Sequence, residues 1–190
     1  YDKRDQRYKT SDGYISRFSQ NIPLISENYT LTNSYDYKIY NEWLDENVFS
    51  IGFFGKTSNS LAGKDIKLSD RLYLPSSKLR GFESGKVGPK DGADYIGGNY
   101  AASINIATSL SQILPNSQNT NFSIFFDAGN IWGIDYSSSL SDESKIRSSV
   151  GIAVDVFTPI GPLNFSLSEP ITKGKNDITE SFRFNLGTTF

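Results

Sequence analysis

The sequence has no cysteine, no histidine and no methionine among its 190 residues. Without cysteine there is no disulfide framework and no thiolate metal site. Without histidine the commonest general base and metal ligand is missing, and no Ser-His pair can form. An enzyme built from this chain would have to work through Asp, Glu, Ser or Lys, and no pair of carboxylates stands out. The lack of methionine, position 1 included, points to a processed chain or a fragment. No charged segment followed by an apolar core and a small-residue cleavage site opens the sequence, so no secretory signal is expected in it. No stretch of about 18 apolar residues occurs, so no transmembrane helix is expected. Lys and Arg total 19 against 21 Asp and Glu, a net charge of -2. No basic cluster forms, and nucleic acid is not an expected partner.

What the sequence does have is period-two alternation, with aromatic residues at 14%. Tyr14, Ser16 and Phe18 alternate with Ile15, Arg17 and Ser19. Tyr29, Leu31, Tyr35, Tyr37 and Ile39 share one parity, and Thr30, Thr32, Ser34, Asp36 and Lys38 the other. Phe49, Ile51 and Phe53 alternate with Ser50 and Gly52. Tyr100, Ala102, Ile104 and Ile106 alternate with Ala101, Ser103 and Asn105. Phe122, Ile124 and Phe126 face away from Ser123 and Asp127. Val150, Ile152, Val154 and Val156 oppose Ser149, Gly151, Ala153 and Asp155. Leu163, Phe165 and Leu167 oppose Asn164, Ser166 and Ser168. Phe182, Phe184, Leu186 and Phe190 oppose Arg183, Asn185, Gly187 and Thr189. Alternation of this kind spells β-strands half covered on one face. About eight strands are expected, many of about 9–12 residues, long enough to cross a bilayer at a tilt. Short turns fall near 41–46 and 158–162, and longer polar ones at 113–121, 133–145 and 173–179. The longest connection runs from about 56 to 95.

Two all-β architectures share this pattern. In a soluble β-sandwich the apolar set packs inward. In an antiparallel transmembrane β-barrel it faces lipid and the polar set lines the lumen. The polar set here is small (Ser, Gly, Ala, Asn), which suits a crowded interior. Tyr and Phe gather near strand ends as aromatic girdles do. The chain also ends on Phe190, with no polar tail. The barrel is the reading these features favour.

Several phrases carry a resemblance. They are Leu79-Arg80-Gly81-Phe82, Gly88-Pro89-Lys90-Asp91, Gly97-Gly98-Asn99 and Phe126-Asp127-Ala128-Gly129-Asn130-Ile131-Trp132. After them come Arg147-Ser148-Ser149-Val150-Gly151, Ser166-Leu167-Ser168-Glu169-Pro170 and the terminal Phe182 to Phe190. Tyr1-Asp2-Lys3-Arg4-Asp5 joins the set at the start. In this order the phrases resemble the carboxy-terminal barrel region of the BamA family, the outer-membrane β-barrel assembly factors. The resemblance implies a 16-stranded barrel of which residues 1–190 supply about the second half. Three strands would precede the long loop and five would follow it. It implies a protein that folds and inserts client barrels, with no bond made or broken and no cofactor or metal. The implied partners are the outer-membrane bilayer, unfolded β-barrel clients and the BAM lipoproteins, and the implied location is the bacterial outer membrane.

The resemblance also assigns residues. Leu79, Arg80, Gly81 and Phe82 would sit on a loop that folds back into the lumen, with Arg80 held against Asp127. A guanidinium suits this because it bonds a carboxylate in bidentate fashion and stays charged when desolvated. The preceding strand of the family often offers a second acidic residue; here that position is Ala107, and Asp155 is a candidate helper. Arg147 and Asp155 are otherwise read as ordinary lumenal polarity. Phe182, Phe184, Leu186, Gly187 and Phe190 resemble the terminal signal and seam strand, where an unpaired edge templates a client strand. Gly187 would loosen that strand. The competing functions are a related transporter (a two-partner secretion pore or a TamA-like protein), an outer-membrane enzyme and a soluble binding module.

Overall fold

A computed structural model describes residues 1–7, 9–23, 29–44, 46–110, 113, 119–137, 139–140, 144–159 and 161–186. The described strands are β1 (Gly13–Asn21), β2 (Thr30–Leu44), β3 (Asn47–Ser60), β4 (Lys90–Asp91), β5 (Asp94–Tyr95), β6 (Tyr100–Ser109), β7 (Thr120–Trp132), β8 (Arg147–Thr158), β9 (Gly161–Thr172) and β10 (Phe182–Leu186). Eight of them form one antiparallel sheet in the order β1-β2-β3-β6-β7-β8-β9-β10, and β4 and β5 pair as a small ribbon. Three strands of the sheet precede the long loop and five follow it. A single eight-stranded sheet is not a sandwich of two packed sheets, so that alternative falls. Among the described residues β10 does not pair with β1, and the sheet is open. Beyond β1, residues 1–5 run alongside it: the Lys3 amide donates to the Tyr14 carbonyl at 2.8 Å, and the Ser16 amide to that of Tyr1 at 2.8 Å.

The two faces follow from the alternation. Apolar side chains line up in cross-strand rows. One row runs Ile39, Ile51, Ile106, Phe126, Val150 across β2 to β8. Another runs Phe122, Val154, Phe165, Phe184 across β7 to β10. Such neighbours are the unit of sheet stabilisation. Yet this face is open: Phe182, Phe184 and Leu186 are 56%, 51% and 59% exposed. The polar face is the covered one. Ser149, Asn164, Ser166 and Asp127 are buried on it.

What covers it is the loop after β3. The strand continues to Ser60, paired with Thr30, so the connection starts at Leu61 and not at Lys56. Asn99 then returns the chain to the sheet, its amide donating to the Gly133 carbonyl at 2.9 Å. The only buried apolar cluster among the described residues lies between this loop and the sheet. Leu72, Leu74, Leu79, Phe82 and Val87 of the loop pack on Phe54, Ala101 and Ile131 of the polar face. Each such side chain contributes about 1.5–3 kcal/mol on burial, enough to hold a loop that has little regular structure. Its one helical turn is a 3-10 segment, Leu68–Asp70.

Antiparallel order places the loop, 133–146 and 173–181 at one end of the sheet. The tight β2–β3 and β8–β9 turns lie at the other end. The 110–119 connection lies with the tight turns, so the long and short connections do not separate completely.

Candidate functional site

The site is built where the loop crosses the middle of the polar face. Asp127 lies in β7, and alternation turns its side chain inward beside Ser123 and Phe125. Its carboxylate is 0% exposed and the Arg80 side chain 4%. Arg80 Nε donates to Asp127 Oδ2 and Nη2 to Oδ1, both at 2.7 Å. The Arg80 amide adds a third bond to Oδ2 at 3.1 Å. This fork-on-fork geometry is the strong form of the ion pair. The guanidinium also lies over the Phe125 ring, with its central carbon 3.3 Å from the ring centroid. Arginine stacks this way because its planar cation is weakly hydrated and the ring face is negative.

Two glycines make room. Gly151 of β8 sits where a Cβ would strike the Leu167 backbone carbonyl and then the Phe125 ring, its Cζ 2.5 Å away, so a side chain here would push on both the β9 backbone and the ring. Gly81, directly after Arg80, has φ +88°, and a Cβ there would lie 2.9 Å from the Ser149 Cβ. Only glycine takes that backbone angle without strain and lets the loop come so close. The Ser149 hydroxyl uses the approach to donate to the Arg80 carbonyl.

The other sequence-derived residues fall around this centre. Leu79 and Phe82, on either side of Arg80-Gly81, are buried in the cluster under the loop. The helper beside Asp127 is not acidic. Its direct cross-strand neighbour is Asn105. Asn105 Nδ2 donates to Asp127 Oδ1 at 2.9 Å and to the Lys78 carbonyl at 3.0 Å. Ala107 sits one step further, opposite Phe125. Asp155, the candidate helper, accepts from Asn164 Nδ2 at 2.6 Å on the next strand and lies within electrostatic reach of Arg80. Phe182, Phe184 and Leu186 all turn outward from β10, and Gly187 and Phe190 lie outside the described residues.

Arg147 is more than polar lining. It is fully buried, and its Nε and Nη2 grip Asp177 at 2.8 and 3.1 Å. Its Nη1 reaches Asn130 Oδ1 at 2.6 Å and the Lys145 carbonyl at 2.8 Å. Asp177 in turn accepts from the Gly88 amide of the loop at 3.3 Å. A third pair, Arg71 to Asp135 at 2.5 Å, joins the loop to the 133–146 connection. Burial alone would raise the Asp135 pKa, but the Ile66 amide, Asn99 and Arg71 outweigh it and hold it low. Sequence reading missed Phe125, Asn105 and these pairs. Parity alone gave a signal for the strand residues, since Phe125, Arg147 and Asn105 all stand on inward positions.

The polar face, with Arg4, Arg7 and Lys9 of the amino-terminal segment, surrounds a cavity of about 780 Å³ lined by residues such as Lys38, Asn105 and Asp155. Its lining mixes polar and apolar groups, and no cluster of His, Cys, Asp and Glu among the described residues could hold a metal ion.

Comparison with known proteins places the fold. The chain is 27% identical to the outer membrane protein assembly factor BamA of Neisseria meningitidis serogroup B, over 99% of this chain and 27% of that protein. It is 26% identical to the sorting assembly machinery 50 kDa subunit of Saccharomyces cerevisiae, over 100% of this chain and 41% of that one. The chain thus spans well under half the length of these relatives. The crystal structure of BamA from Haemophilus ducreyi lacking POTRA domains 1–3 superposes with a TM-score of 0.86 at 26% identity, over 97% of this chain and 40% of that one. All of residues 1–190 match the Omp85 superfamily domain. With the whole chain matched, the fold shared and the arginine loop seated on the sheet, this chain belongs to the Omp85 superfamily.

Proposed function

We propose that residues 1–190 form the carboxy-terminal part of a transmembrane barrel domain, roughly half of a barrel of about 16 strands, in an outer-membrane protein assembly factor similar to BamA. The observation that carries this is the inverted sheet. Its apolar rows are exposed while its polar face is covered by the arginine-anchored loop. In water such an apolar face is a liability; against lipid tails it is the required surface. The polar face is then the lumen, and the loop from Leu61 to Asn99 starts outside the membrane and folds inward. The setting is the bacterial outer membrane, and the partners are its lipids, unfolded barrel clients and the lipoproteins of the assembly complex.

Such a protein needs no catalytic acid, base or nucleophile. A client's terminal strand pairs at the seam beside β10, and folding proceeds by strand addition. The Arg80–Asp127 clasp, with Leu79, Gly81 and Phe82, fixes the loop while that happens. Phe182, Phe184 and Leu186 present the lipid-facing side of the templating strand.

Residues 1–190 hold no cysteine, so a single one placed among them, with any cysteine elsewhere in the full-length protein replaced by serine, gives a clean test. The full-length protein carries a single Phe184→Cys, or a single Leu167→Cys as the control on β9, a strand paired on both sides. A client with one cysteine in its terminal strand is expected to link to the β10 position during folding and not to the β9 position. Equal linking at both, or none at either, contradicts templating at β10.

A further inference from the structure

The loop has a second anchor, on the terminal strand itself. Arg183 is the inward-facing arginine of β10, 8% exposed, paired in register with Ser166. Its Nη2 donates to the Phe82 carbonyl at 2.6 Å and its Nη1 to the Ser76 carbonyl at 2.9 Å. Those two carbonyls flank Leu79-Arg80-Gly81, so one guanidinium spans the base of the segment whose arginine grips Asp127. Arg183 is itself held by Glu180, whose Oε2 accepts from Nε at 2.8 Å. The backbone just before β10 adds a short ladder to the loop. The Glu83 amide donates to the Ile178 carbonyl at 2.9 Å, the Ile178 amide to that of Lys86 at 3.1 Å, and the Glu180 amide to that of Gly81 at 3.1 Å.

These contacts depend on strand register. Side chains alternate, so a slip of β10 by one residue turns Arg183 from the polar face to the apolar one. A slip by two moves it about 7 Å along the strand, beyond hydrogen-bond reach of both carbonyls. Five residues of β10 are described, and among the described residues only β9 is its partner. The loop contacts add to the register that the β9–β10 ladder specifies.

We propose that Arg183 is a positioning residue that couples the arginine loop to the terminal strand, so that the loop keeps its seat on Asp127 only while β10 holds this register. The link is reciprocal, because coupling between two sites acts equally in both directions. A client strand that peels or shifts β10 releases the loop's second anchor, and a loop lifted from Asp127 loosens β10. This rests on the assembly reading above for its consequence, but the coupling itself is a property of the fold.

The test follows backbone hydrogen exchange in the full-length protein in liposomes, for the wild type, Arg183→Gln, Arg183→Lys and Arg80→Ala, with porin folding measured on the same samples. Losing a charge-assisted bond to each carbonyl is worth about tenfold or more in local opening. Arg183→Gln is expected to speed exchange of the Arg80 and Glu83 amides by about that factor, with the centres of β7 and β8 unchanged. Arg183→Lys, which keeps the charge and one donor at a time, is expected to recover part of the protection. Arg80→Ala is expected to speed exchange across Phe182–Leu186. Client folding should slow in Arg183→Gln. Wild-type exchange at Arg80 and Glu83 in Arg183→Gln overturns the coupling. Coupled exchange with client folding slowed by Arg80→Ala and untouched by Arg183→Gln overturns the positioning role. If the wild type folds no client, the assembly reading fails, and the exchange pattern alone still decides the coupling.

Discussion

Replacing Asp127 with alanine is expected to cost the fold about 3–5 kcal/mol, because it leaves the Arg80 guanidinium buried without its counter-charge. The pair is nearly sealed from water, at 4% and 0% exposure, so solvent cannot take over the lost bonds. Three donors of Arg80 converge on that carboxylate, and Asn105 also loses its acceptor. Arg80→Ala is expected to be milder on the loop side, since the alanine leaves no charge in the loop, but it strands the Asp127 carboxylate with Asn105 as its remaining side-chain donor. The double variant should be no worse than the harsher single one, since the two residues act as a unit. Arg80→Lys should behave nearly as badly as Arg80→Ala. An ammonium cannot make the fork and stacks poorly on Phe125. Denaturant unfolding of the reconstituted protein and the heat at which the folded band is lost on a gel both read these differences. Additive penalties in the double variant would mean that Arg80 and Asp127 do not form one clasp.

The second large effect is expected at Arg147. Arg147→Ala should again cost about 3–5 kcal/mol, because Asp177 is 1% exposed and the arginine fully buried. The loss should spread further than at Asp127, because this pair joins four pieces of chain. Arg147 sits at the start of β8, Asn130 lies in β7, Asp177 follows β9, and Gly88 belongs to the loop. Adding Asp177→Asn to Arg147→Ala should recover part of the stability. The amide carries no charge to strand, and its oxygen still accepts from the Gly88 amide. Thermal unfolding followed by the fluorescence of the two tryptophans, Trp43 and Trp132, reads the change. A double variant that unfolds lower than Arg147→Ala would show that the carboxylate stabilises the site without its arginine.

Strand number, order about the loop and side-chain parity were legible because period-two alternation repeats along all eight strands of the sheet. Each inward residue of β7 could be placed by counting from Phe126. The Arg80-to-Asp127 pairing came from the family phrases and not from spacing. Nothing in a sequence separation of 47 residues brings two side chains together. Asn105 escaped notice because its partner follows from the β6–β7 register, which alternation does not fix. Asp177, Glu180 and Arg71 lie in connections with no periodicity at all. Their contacts depend on how a loop of irregular backbone lies on the sheet, and that is decided by Leu72, Leu74, Leu79, Phe82 and Val87 seeking cover. The loop boundary was misjudged by five residues for a related reason: Lys56 to Ser60 are polar, yet they pair fully with β2.

The role proposed for this superfamily chain, with its arginine-anchored loop, is the folding of other barrels. The most direct measurement is the rate at which an unfolded porin acquires its folded, protease-resistant form in liposomes carrying the full-length protein, with Arg80→Ala and protein-free liposomes beside it. Folding well above the protein-free rate for the wild type, and a fall of about tenfold or more for Arg80→Ala, is the expected result. A wild type no faster than bare lipid would contradict that role, and a wild-type rate in Arg80→Ala would remove the loop from it.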